Sequence, residues 1–474
     1  MSPKIVVIGA GAAGIAAATK LLELGLRNVV VLEAEGRIGG RICTIPFASN
    51  VIDLGAQWCH GEKNNVVFDL AHKYNLLEPS MDKFYPFICI RSNKEVVPPQ
   101  ISKKLLEISN RILEDEKLSE YKGSLGNYFN EKYSEALRDP ENAEIDSKTA
   151  NQFLNFYHKY ENSIECSDSL FDVSASGYTE YWNCEGDILL NWKDKGYVSV
   201  LRLLMKSEPK NELGILEKRV ILNKGVKQIL WDDGKNSKVL IKCFDGDVIE
   251  ADHVICTVSL GVLKERHAEL FKPHLPEQKL RAIEGLSIGT VNKIFLEFPQ
   301  KFWQDDWQGF SLLWEESDLK DVKESHGAWL EDVFGFYTVA HQPNVLCGWI
   351  YGANARKIEQ LHEDEIERGL LILLRKFLTC EVPDPVSLKR SSWFSNPNFR
   401  GSYSFRSLRT DEVKTEPSDL AAPLKKHKGD IPVLCFAGEA TEDHYYSTVH
   451  GAIQTGWREA SRLFKVYNNA LSRL

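Results

Sequence analysis

A glycine-rich turn near the N-terminus constrains the fold of this 474-residue chain more than any other sequence feature. Residues 9–14, with the sequence GAGAAG, lie between an apolar run at 4–8 and a helical pattern at 13–24, and a second apolar run follows at 28–32. This order predicts a β–α–β unit whose glycines allow a tight turn and the close approach of a pyrophosphate to a helix N-terminus. Glu33 ends the second run, where a carboxylate can accept hydrogen bonds from a ribose. The predicted nucleotide contacts in this unit are Gly9, Gly11, Ala13, Gly14 and Glu33.

Length and composition indicate a soluble, globular chain with more than one domain. A chain of 474 residues exceeds the size at which one hydrophobic core keeps growing, so two domains are expected. The formal charge of -9 argues against nucleic acid as a partner, because a duplex-binding surface needs clustered Lys and Arg. No run of about 18 apolar residues predicts a membrane span. The ten cysteines include no Cys-x-x-Cys pair and no His at zinc spacing, so no metal is expected.

The periodicity of the sequence predicts an α/β fold in which both domains are discontinuous. The block 65–204 is mostly helical in pattern, and the final strand and helix resemble a return to the β–α–β unit. Strands are predicted at 220–231, 239–249, 254–257, 291–298, 348–351 and 433–437, and helices at 364–377 and 449–467. We expect a Rossmann-like domain of residues 1–75, 215–285 and 390–474, and an α+β domain with a mixed sheet and helices of residues 76–214 and 286–389. The polar stretch 409–430 is predicted to be a mobile surface loop.

A basic segment directly after Glu33 helps to choose between dinucleotides, since the glycine-rich turn and the acid would suit NAD as well. Arg37 and Arg41 flank a diglycine at 39–40, so two cations and a flexible turn can contact a diphosphate from a second side. With the sequences GAQW at 55–58 and GEAT at 438–441, the chain resembles the flavin amine oxidase family along nearly its whole length. The resemblance implies that FAD is the cofactor, and that the two domains bind FAD and substrate.

The resemblance also implies which residues contact FAD. In this family the late Gly-Glu pair contacts the ribityl-diphosphate part, and the N-terminus of the last helix points at the flavin pyrimidine ring. Backbone N–H groups there would stabilise negative charge on reduced flavin, although the same residues could be an ordinary helix start. Ser402 stands where covalently flavinylated members carry Cys, so the FAD is expected to be non-covalent. The implied contacts are Arg37, Gly40, Arg41, Gly55, Ala56, Gln57, Trp58, Val226, Trp393, Gly438, Glu439, Thr448 and Val449.

Lys293 is a cation within an otherwise apolar predicted strand, where an unpaired charge is costly. A lysine at a strand end can instead extend its charge into water, and the pattern alone leaves both interpretations open. In the amine oxidase family the matching Lys holds a water against flavin N5 and helps reoxidation by dioxygen. The resemblance therefore predicts a catalytic Lys293.

The segment 445–452 closely resembles the spermine and acetylpolyamine oxidases of animals within this family. His60 corresponds to a histidine that lines their catalytic tunnel and could orient the substrate amine, although a lone His is usually structural. Asp172 and Ser174 resemble residues that meet a far amino group, but acidic loop residues are commonplace. The aromatic residues could instead be plain core. The predicted substrate-binding residues are Trp58, Tyr403, Tyr446, Thr448, Asp172 and Ser174, with Lys293 and His60 as catalytic residues.

The resemblance implies an FAD-dependent polyamine oxidase that removes hydride from a carbon beside an amine of spermine, spermidine or their N1-acetyl derivatives. The imine is hydrolysed to an amine and an aldehyde, and dioxygen becomes hydrogen peroxide. Two alternatives stay open. A flavin oxidase of monoamines or amino acids shares the cofactor residues but would be expected to carry a paired-tyrosine cage or an arginine clamp. A flavin-bound scaffold without catalytic activity belongs to another class.

The last three residues, Ser472, Arg473 and Leu474, are similar to the peroxisomal address S-K-L, with a basic residue in the middle. This similarity predicts recognition by the peroxisomal import receptor and a peroxisomal location. The alternative is a chance ending, in which case a cytoplasmic location is expected.

Overall fold

The structure, a computed structural model, describes residues 3–80, 88–207, 211–232, 234, 238–304, 307–426 and 430–471. The strands in these ranges are β1 Ile5–Ile8, β2 Val29–Leu32, β3 Thr44–Phe47, β4 Asn50–Asp53, β5 Leu77–Glu78, β6 Cys89–Arg91, β7 Asn191–Trp192, β8 Val220–Ile221, β9 Val226–Leu230, β10 Val239–Cys243, β11 Val248–Ala251, β12 His253–Cys256, β13 Phe271–Lys272, β14 Leu286–Ile288, β15 Val291–Glu297, β16 Gly309–Leu313, β17 Val333–Val339, β18 Gln342–Tyr351, β19 Ser387–Arg390, β20 Ser404–Arg406, β21 Leu424–Lys425 and β22 Pro432–Phe436. The α-helices are α1 Ala12–Glu23, α2 Val66–Ala71, α3 Pro99–Leu113, α4 Leu125–Ala136, α5 Ser147–Glu165, α6 Ala175–Tyr178, α7 Ser199–Met205, α8 Leu260–Leu270, α9 Glu277–Gly285, α10 Glu316–Ser325, α11 Gly352–Ile358, α12 Glu363–Phe377, α13 Leu408–Glu412, α14 Pro417–Ala421 and α15 Val449–Leu471.

The first sheet has the strand order β21-β22-β12-β1-β2-β8, and every pair except β21–β22 is parallel. All four residues of β1 are buried, which explains their continuous apolar sequence, because a parallel sheet is covered on both faces. Helices α1, α7 and α15 share a core with one face of this sheet. The other face packs against α8, α9 and a smaller sheet of order β11-β10-β9-β13.

Helices α1 and α15, from opposite ends of the chain, touch at backbone distance. A Cβ atom added at Gly456 of α15 would lie 2.2 Å from the carbonyl oxygen of Ala13 and 3.0 Å from the backbone nitrogen of Ala17. Small residues on both helices therefore permit the contact. Leu201 and Leu204 of α7 are buried in the same core. The sequence division placed this helix with the second domain, whereas its packing joins it to the first sheet.

The second sheet has the order β19-β15-β18-β17-β16-β6, and every pair except β16–β6 is antiparallel. Helix α12 covers one face with buried residues at helical spacing, including Ile366, Leu370 and Phe377. Helices α3, α4 and α5 contribute to the core on the other face. In this sheet Lys293 on β15 is the register partner of Trp349 on β18, so both side chains point to the same face.

The predicted β–α–β unit is present as β1, α1 and β2, and the stretch predicted as a strand at 239–249 forms most of the antiparallel hairpin β10–β11. The expected mobile loop at 409–430 is instead largely structured: it contains most of α13, then α14 and β21, because Thr410 and Asp419 form capping interactions at the two helices. Residues 427–429 of that stretch lie outside the described residues. Among the helices that the structure describes, none combines the length and the apolar character that crossing a membrane requires.

Candidate active site

A cavity of about 1610 Å³ reaches from the glycine-rich turn at β1–α1 to the face of the second sheet that carries Lys293. Its wall includes backbone of the first sheet, the ends of α5 and α15, and side chains from the second sheet. Most of the predicted cofactor and substrate residues line it, although they come from segments more than 400 residues apart.

The glycine-rich turn is shaped by close backbone contact. Gly9 has a φ of +100°, and a Cβ added at Gly14 would lie only 2.0 Å from the carbonyl oxygen of Gly9. Gly11 is the N-cap of α1, and its added Cβ would meet no atom closer than 3.8 Å. The helix N-terminus therefore faces the cavity without a capping side chain, an arrangement suited to binding an anion.

Glu33 lies at the carboxyl end of β2, as predicted, and its carboxylate is oriented by the backbone. Its two oxygens accept hydrogen bonds from the backbone N–H groups of Ala10, at 2.7 Å, and Glu35, at 2.8 Å. Burial raises the pKa of Glu33, and the two backbone hydrogen bonds oppose that rise. Because each carboxylate oxygen has a second lone pair, Glu33 can still accept hydrogen bonds from ligand hydroxyl groups.

Arg41 and Glu439 join three distant segments at the cavity wall. The Nη1 of Arg41 donates to Oε1 of Glu439 and to the carbonyl oxygen of Ser402, both at 2.8 Å. The other carboxylate oxygen of Glu439 accepts from Ser404 Oγ at 2.6 Å and from the Ser447 backbone at 3.0 Å. This network fixes the charged groups and satisfies a carboxylate that is only 6% exposed.

Arg37 has a different position from the one predicted. Its guanidinium donates to the carbonyl oxygens of Gly40, at 2.8 Å, and Ile42, at 3.3 Å, and pairs with Glu35 at 3.0 Å. It is not among the residues that line the cavity. Arg37 thus holds the turn in which Gly40 has a φ of +59°, and a direct contact with a diphosphate is not what this geometry provides.

The last helix begins at the cavity, where Thr448 and Val449 form part of the wall. Thr448 Oγ1 accepts a hydrogen bond from the Gly451 backbone at 3.0 Å and donates to the carbonyl oxygen of Tyr445 at 2.6 Å. The hydroxyl therefore caps α15 and directs the positive end of a long helix towards the cavity. Val226, Trp393 and Gly438 also line the cavity, as do Ala13, Gly55, Ala56 and Gln57.

Lys293 is 5% exposed, and its ammonium group is surrounded by acceptors. Nζ donates to Gln57 Oε1 at 2.6 Å and to the carbonyl oxygens of Gly55, at 2.8 Å, and Asp53, at 3.1 Å. Burial lowers the pKa of Lys293 to about 8, because removal from water disfavours the charged form. The side chain therefore does not extend into solvent, and its pKa is closer to neutral pH than that of an exposed lysine.

Two stacked tryptophans enclose this lysine. The rings of Trp58 and Trp349 are 5.6 Å apart with an interplanar angle of 10°. Lys293 Nζ lies 5.0 Å from the Trp349 ring centroid and 5.7 Å from that of Trp58. Aromatic faces stabilise a cation at such distances, so they partly offset the cost of burying Lys293. Trp349 was not predicted; its pairing with Lys293 depends on the register of two strands more than 50 residues apart.

His60 lines the cavity next to Trp58, as the resemblance implied. Its Nδ1 is 2.8 Å from the carbonyl oxygen of Ile188, so Nδ1 carries the proton and Nε2 is left as the acceptor. Burial lowers the pKa of His60, which favours this neutral form. A neutral imidazole can accept a hydrogen bond from an amine at this position.

Tyr403 and Tyr446 both line the cavity, and both hydroxyls donate to backbone carbonyls of the helical region. Tyr403 Oη donates to Ser163 at 2.5 Å, and Tyr446 Oη donates to Gly177 at 3.4 Å. Burial raises the pKa of each phenol, so both stay neutral donors. Ser402, beside Tyr403, exchanges two 2.9 Å hydrogen bonds with the Val291 backbone, so a serine hydroxyl occupies this position.

Asp172 and Ser174 are not among the cavity-lining residues, contrary to the expectation from resemblance. Ser174 Oγ accepts from the Gly177 backbone at 2.9 Å and donates to Asp411 Oδ2 at 2.5 Å, so it is the N-cap of α6. The Asp172 side chain is exposed, and its backbone carbonyl accepts from Leu408 at 2.9 Å. Both residues connect the helical region to the segment at 407–411.

Two acids that the sequence analysis missed lie near the end of α5. Glu165 lines the cavity and Glu161, one turn earlier, is 2% exposed and accepts a hydrogen bond from Tyr178 Oη at 3.3 Å. Burial raises the pKa of Glu161 to about 7, and burial together with the charge of Glu161 raises the pKa of Glu165 to about 8. The sequence does contain a sign of Glu161, because this acid follows Phe153 and Tyr157 at four-residue spacing. An acid therefore occupies the apolar stripe of the helix.

The model of the family described as flavin containing amine oxidoreductase matches residues 12–464. The chain belongs to this flavin containing amine oxidoreductase family. Bovine (Bos taurus) and human (Homo sapiens) peroxisomal N(1)-acetyl-spermine/spermidine oxidases are each 32% identical to it, over 98% of this chain and 95% of the relative. Polyamine oxidase 1 of Zea mays is 28% identical over 96% of this chain and 89% of that protein. A solved structure of a putrescine oxidase redesigned in its cofactor binding has a TM-score of 0.70 at 18% identity, and covers 98% of this chain and 99% of that one.

These findings confirm the predicted α/β fold and the predicted flavin amine oxidase family. The chain is thus an oxidoreductase that depends on FAD, and the residues that line its cavity fit that cofactor. The glycine-rich turn leaves space at Gly11 that a Cβ would enter, since no protein atom lies closer than 3.8 Å to that position, and Glu33 can accept hydrogen bonds from ribose. Ser402 offers no thiol for a covalent bond to the flavin, in agreement with non-covalent FAD.

Proposed function

We propose that this flavin enzyme is a polyamine oxidase that cleaves a C–N bond of spermine, spermidine or their N1-acetyl derivatives. The products are an imine, which water hydrolyses to an amine and an aldehyde, and hydrogen peroxide formed from dioxygen. The relatives named for polyamine substrates support this proposal, since they match 96–98% of the chain. When bound, the flavin accepts the hydride and returns two electrons to dioxygen.

The observation that carries the substrate class is the acid pair of Glu161 and Glu165 beside an aromatic cavity. A polyamine must lose the proton from the reacting nitrogen, because a cation there opposes the developing positive charge, while its other nitrogens stay charged. A distant ammonium group beside Glu165 would favour the ionised carboxylate and so lower its pKa from about 8. The neighbouring rings of Tyr160, Tyr178 and Tyr181 also line the cavity and suit methylene groups and cations.

The roles proposed for the other residues follow from their contacts. The turn at Gly9 and Gly11, with Glu33, Arg41 and the start of α15, would hold FAD. Trp58, Tyr403 and Tyr446 would confine the substrate chain, and neutral His60 would accept a hydrogen bond from its amine. Lys293, with a pKa of about 8, would exchange one of its three protein acceptors for a water and supply a proton as dioxygen takes up two electrons and two protons.

A substrate panel tests the proposal. The purified yellow protein should release peroxide with at least one of spermine, spermidine, N1-acetylspermine and N1-acetylspermidine, and far less with tyramine or amino acids. Mass analysis of the amine and aldehyde identifies which C–N bond is cleaved. If protein that retains its flavin releases no peroxide with any of the four polyamines, the substrate assignment is wrong.

A peroxisomal location is part of the same proposal. The bovine and human relatives are named as peroxisomal, and the tail Ser472 to Leu474 is similar to an import address, although those three residues lie outside the described residues. Deleting residues 472–474 should leave activity unchanged and shift the enzyme to the cytosol, as followed by fractionation. Unaltered import would show that the import receptor does not read this tail.

A further inference from the structure

A phenylalanine and an arginine meet at the wall of the cavity. Phe244 follows β10 in the turn to β11, is 63% exposed, and lines the cavity. Arg266 on α8 also lines the cavity, and its Cζ lies 5.1 Å from the Phe244 ring centroid. The two side chains come from different elements, so their contact bridges the small sheet and the helix that follows the first sheet.

Backbone contacts place Phe244 next to the ribose acid. The backbone N–H of Lys224 donates to the Glu33 carbonyl at 2.7 Å, and that of Phe244 donates to the Gly225 carbonyl at 2.9 Å. A Cβ added at Gly225 would lie 3.2 Å from Phe244 Cδ2 and 3.9 Å from the Cβ of Ala34, the residue after Glu33. The phenyl ring therefore lies beside the backbone that leads away from the ribose carboxylate.

The turn that carries Phe244 is anchored on the same loop. Lys224 Nζ forms ion pairs with Asp245 and with Asp247, so both flanks of the turn are tied to the residue before Gly225. The helix of Arg266 begins at Leu260, three residues after Thr257, whose hydroxyl lies 2.6 Å from the Cβ position of Gly9. Phe244 and Arg266 thus approach the adenosine end of the cavity from two fixed sides.

The geometry points to an adenine clamp, in which the base of FAD packs against the surface that the Phe244 ring and the Arg266 guanidinium form together. The two groups lie 5.1 Å apart, so they contact the base side by side and do not hold it between them. Beyond a ribose held by Glu33, the next group of FAD is its adenine, a flat aromatic system. A phenyl ring and a planar guanidinium both stack on such a base and neither needs a particular hydrogen-bond pattern. The pair would shield one part of the adenine from water.

Titration of flavin-free protein with FAD, followed by flavin fluorescence, tests the clamp. Phe244→Ala should raise the Kd for FAD roughly ten-fold, the loss typical of one stacked base. Val248→Ala is the matched control, because Val248 is also an exposed apolar residue on this hairpin, at 56%, and is not among the cavity-lining residues. Unchanged FAD affinity in Phe244→Ala, with wild-type protein that binds FAD, would overturn the clamp.

Two further measurements identify the group that is recognised. ADP, used as a competitor of FAD uptake, carries the adenosine but no flavin, and Phe244→Ala should weaken it by the same factor as FAD. Loss of FAD affinity with full retention of ADP affinity would place the contact elsewhere on the cofactor.

Arg266→Lys keeps the charge but loses the guanidinium plane, so this variant should also have a lower affinity for FAD. Wild-type affinity in this variant would remove Arg266 from the clamp.

Discussion

At the nucleotide end of the cavity the recognition surface is mostly backbone, whereas at the amine end it is mostly side chain. Gly9, Gly11 and Gly14 lie in one continuous turn. Gly9 and Gly14 permit close packing of the turn, and Gly11 leaves space in front of the helix N–H groups. Lys293 and Glu165, by contrast, come from a strand and a helix that are far apart in sequence. The comparison teaches that a short sequence motif can predict a site built from backbone, while a site built from side chains depends on how distant elements pack.

Gly11→Ala is expected to have the largest effect on FAD affinity. It tests the claim that FAD occupies the open space at Gly11. Nothing in the protein lies within 3.8 Å of the added Cβ, so the flavin-free protein should keep its stability to within about 1 kcal/mol. FAD affinity should fall about 100-fold, equivalent to losing one hydrogen bond to a charged group. Flavin absorbance and thermal unfolding of the flavin-free form measure the two quantities. Wild-type FAD affinity in this variant would contradict the claim that FAD is recognised through the open space at Gly11.

Lys293→Met addresses the side-chain end. We expect FAD to be retained, because Lys293 contacts Asp53, Gly55 and Gln57 and is remote from the glycine-rich turn. Reoxidation of the reduced enzyme by dioxygen should slow about 100-fold, the size of a lost general acid–base group. Stopped-flow absorbance separates this step from reduction by substrate. Lys293→Arg should not restore the rate, since arginine does not release a proton near pH 8; loss of flavin in either variant would contradict the placement.

Glu165→Gln sharpens the assignment of the amine end. Removal of the carboxylate should raise KM for spermine about ten-fold, or about 1.4 kcal/mol, with kcat within about two-fold, because the acid contacts a nitrogen remote from the reacting carbon. Glu131→Gln, an exposed acid on α4, is the control and should leave both constants unchanged. Steady-state peroxide assays measure them. Equal KM values for Glu165→Gln and wild type would remove this acid from the substrate site.

The same substitution has a predicted effect on stability that depends on pH. Folding raises the pKa of Glu165 from an ordinary value of 4.5 to about 8, so in this pH window the folded protein holds a proton that the unfolded chain has released. The contribution of Glu165 to the free energy of unfolding of the wild type therefore falls as pH rises from 4.5 towards 8. Glutamine carries no titratable proton, so the variant lacks this dependence on pH. Relative to wild type, Glu165→Gln should gain stability between pH 5 and pH 8. Unfolding midpoints at the two pH values test the sign.

Ser174→Ala is expected to have the smallest effect on function. Because Ser174 caps α6 away from the cavity, its loss should cost about 1 kcal/mol of stability and leave KM for polyamines unchanged. Asp172→Asn should change neither quantity measurably, since its side chain is exposed. Thermal unfolding and peroxide assays measure both. A raised KM in either variant would restore the interpretation suggested by resemblance.

The sequence predicts the nucleotide end well because its determinants are local. A turn, a helix start and the acid at the end of the next strand lie within residues 5–33, and their relative positions follow from the β–α–β geometry. Even there, the pattern does not determine where a long side chain points. Arg37 lies two residues from Glu35 and pairs with it, instead of facing the cavity beside Arg41.

The amine end could be predicted only in part. Lys293 and His60 were found through resemblance, but the partners that explain them, Trp349 and the Ile188 carbonyl, depend on strand register and loop packing. Glu161 was visible as an acid on an apolar stripe, yet a stripe alone does not reveal whether a cavity lies beside it. Asp172 and Ser174 were misplaced because six or more residues of loop separate them from the cavity-facing end of α5.

The backbone contact between α1 and α15 has a consequence for how the enzyme is made. The glycine-rich turn, which we propose holds the diphosphate, leads into α1. The packing partner of α1 at Gly456, and strand β22, which pairs with β12, are synthesised more than 400 residues later. While the ribosome is still producing the middle of the chain, the cradle lacks one of its supporting walls, and such long-range pairing forms slowly. Flavin uptake should therefore follow release of the nascent chain, and in cells short of riboflavin the newly made protein would be the population exposed to proteolysis.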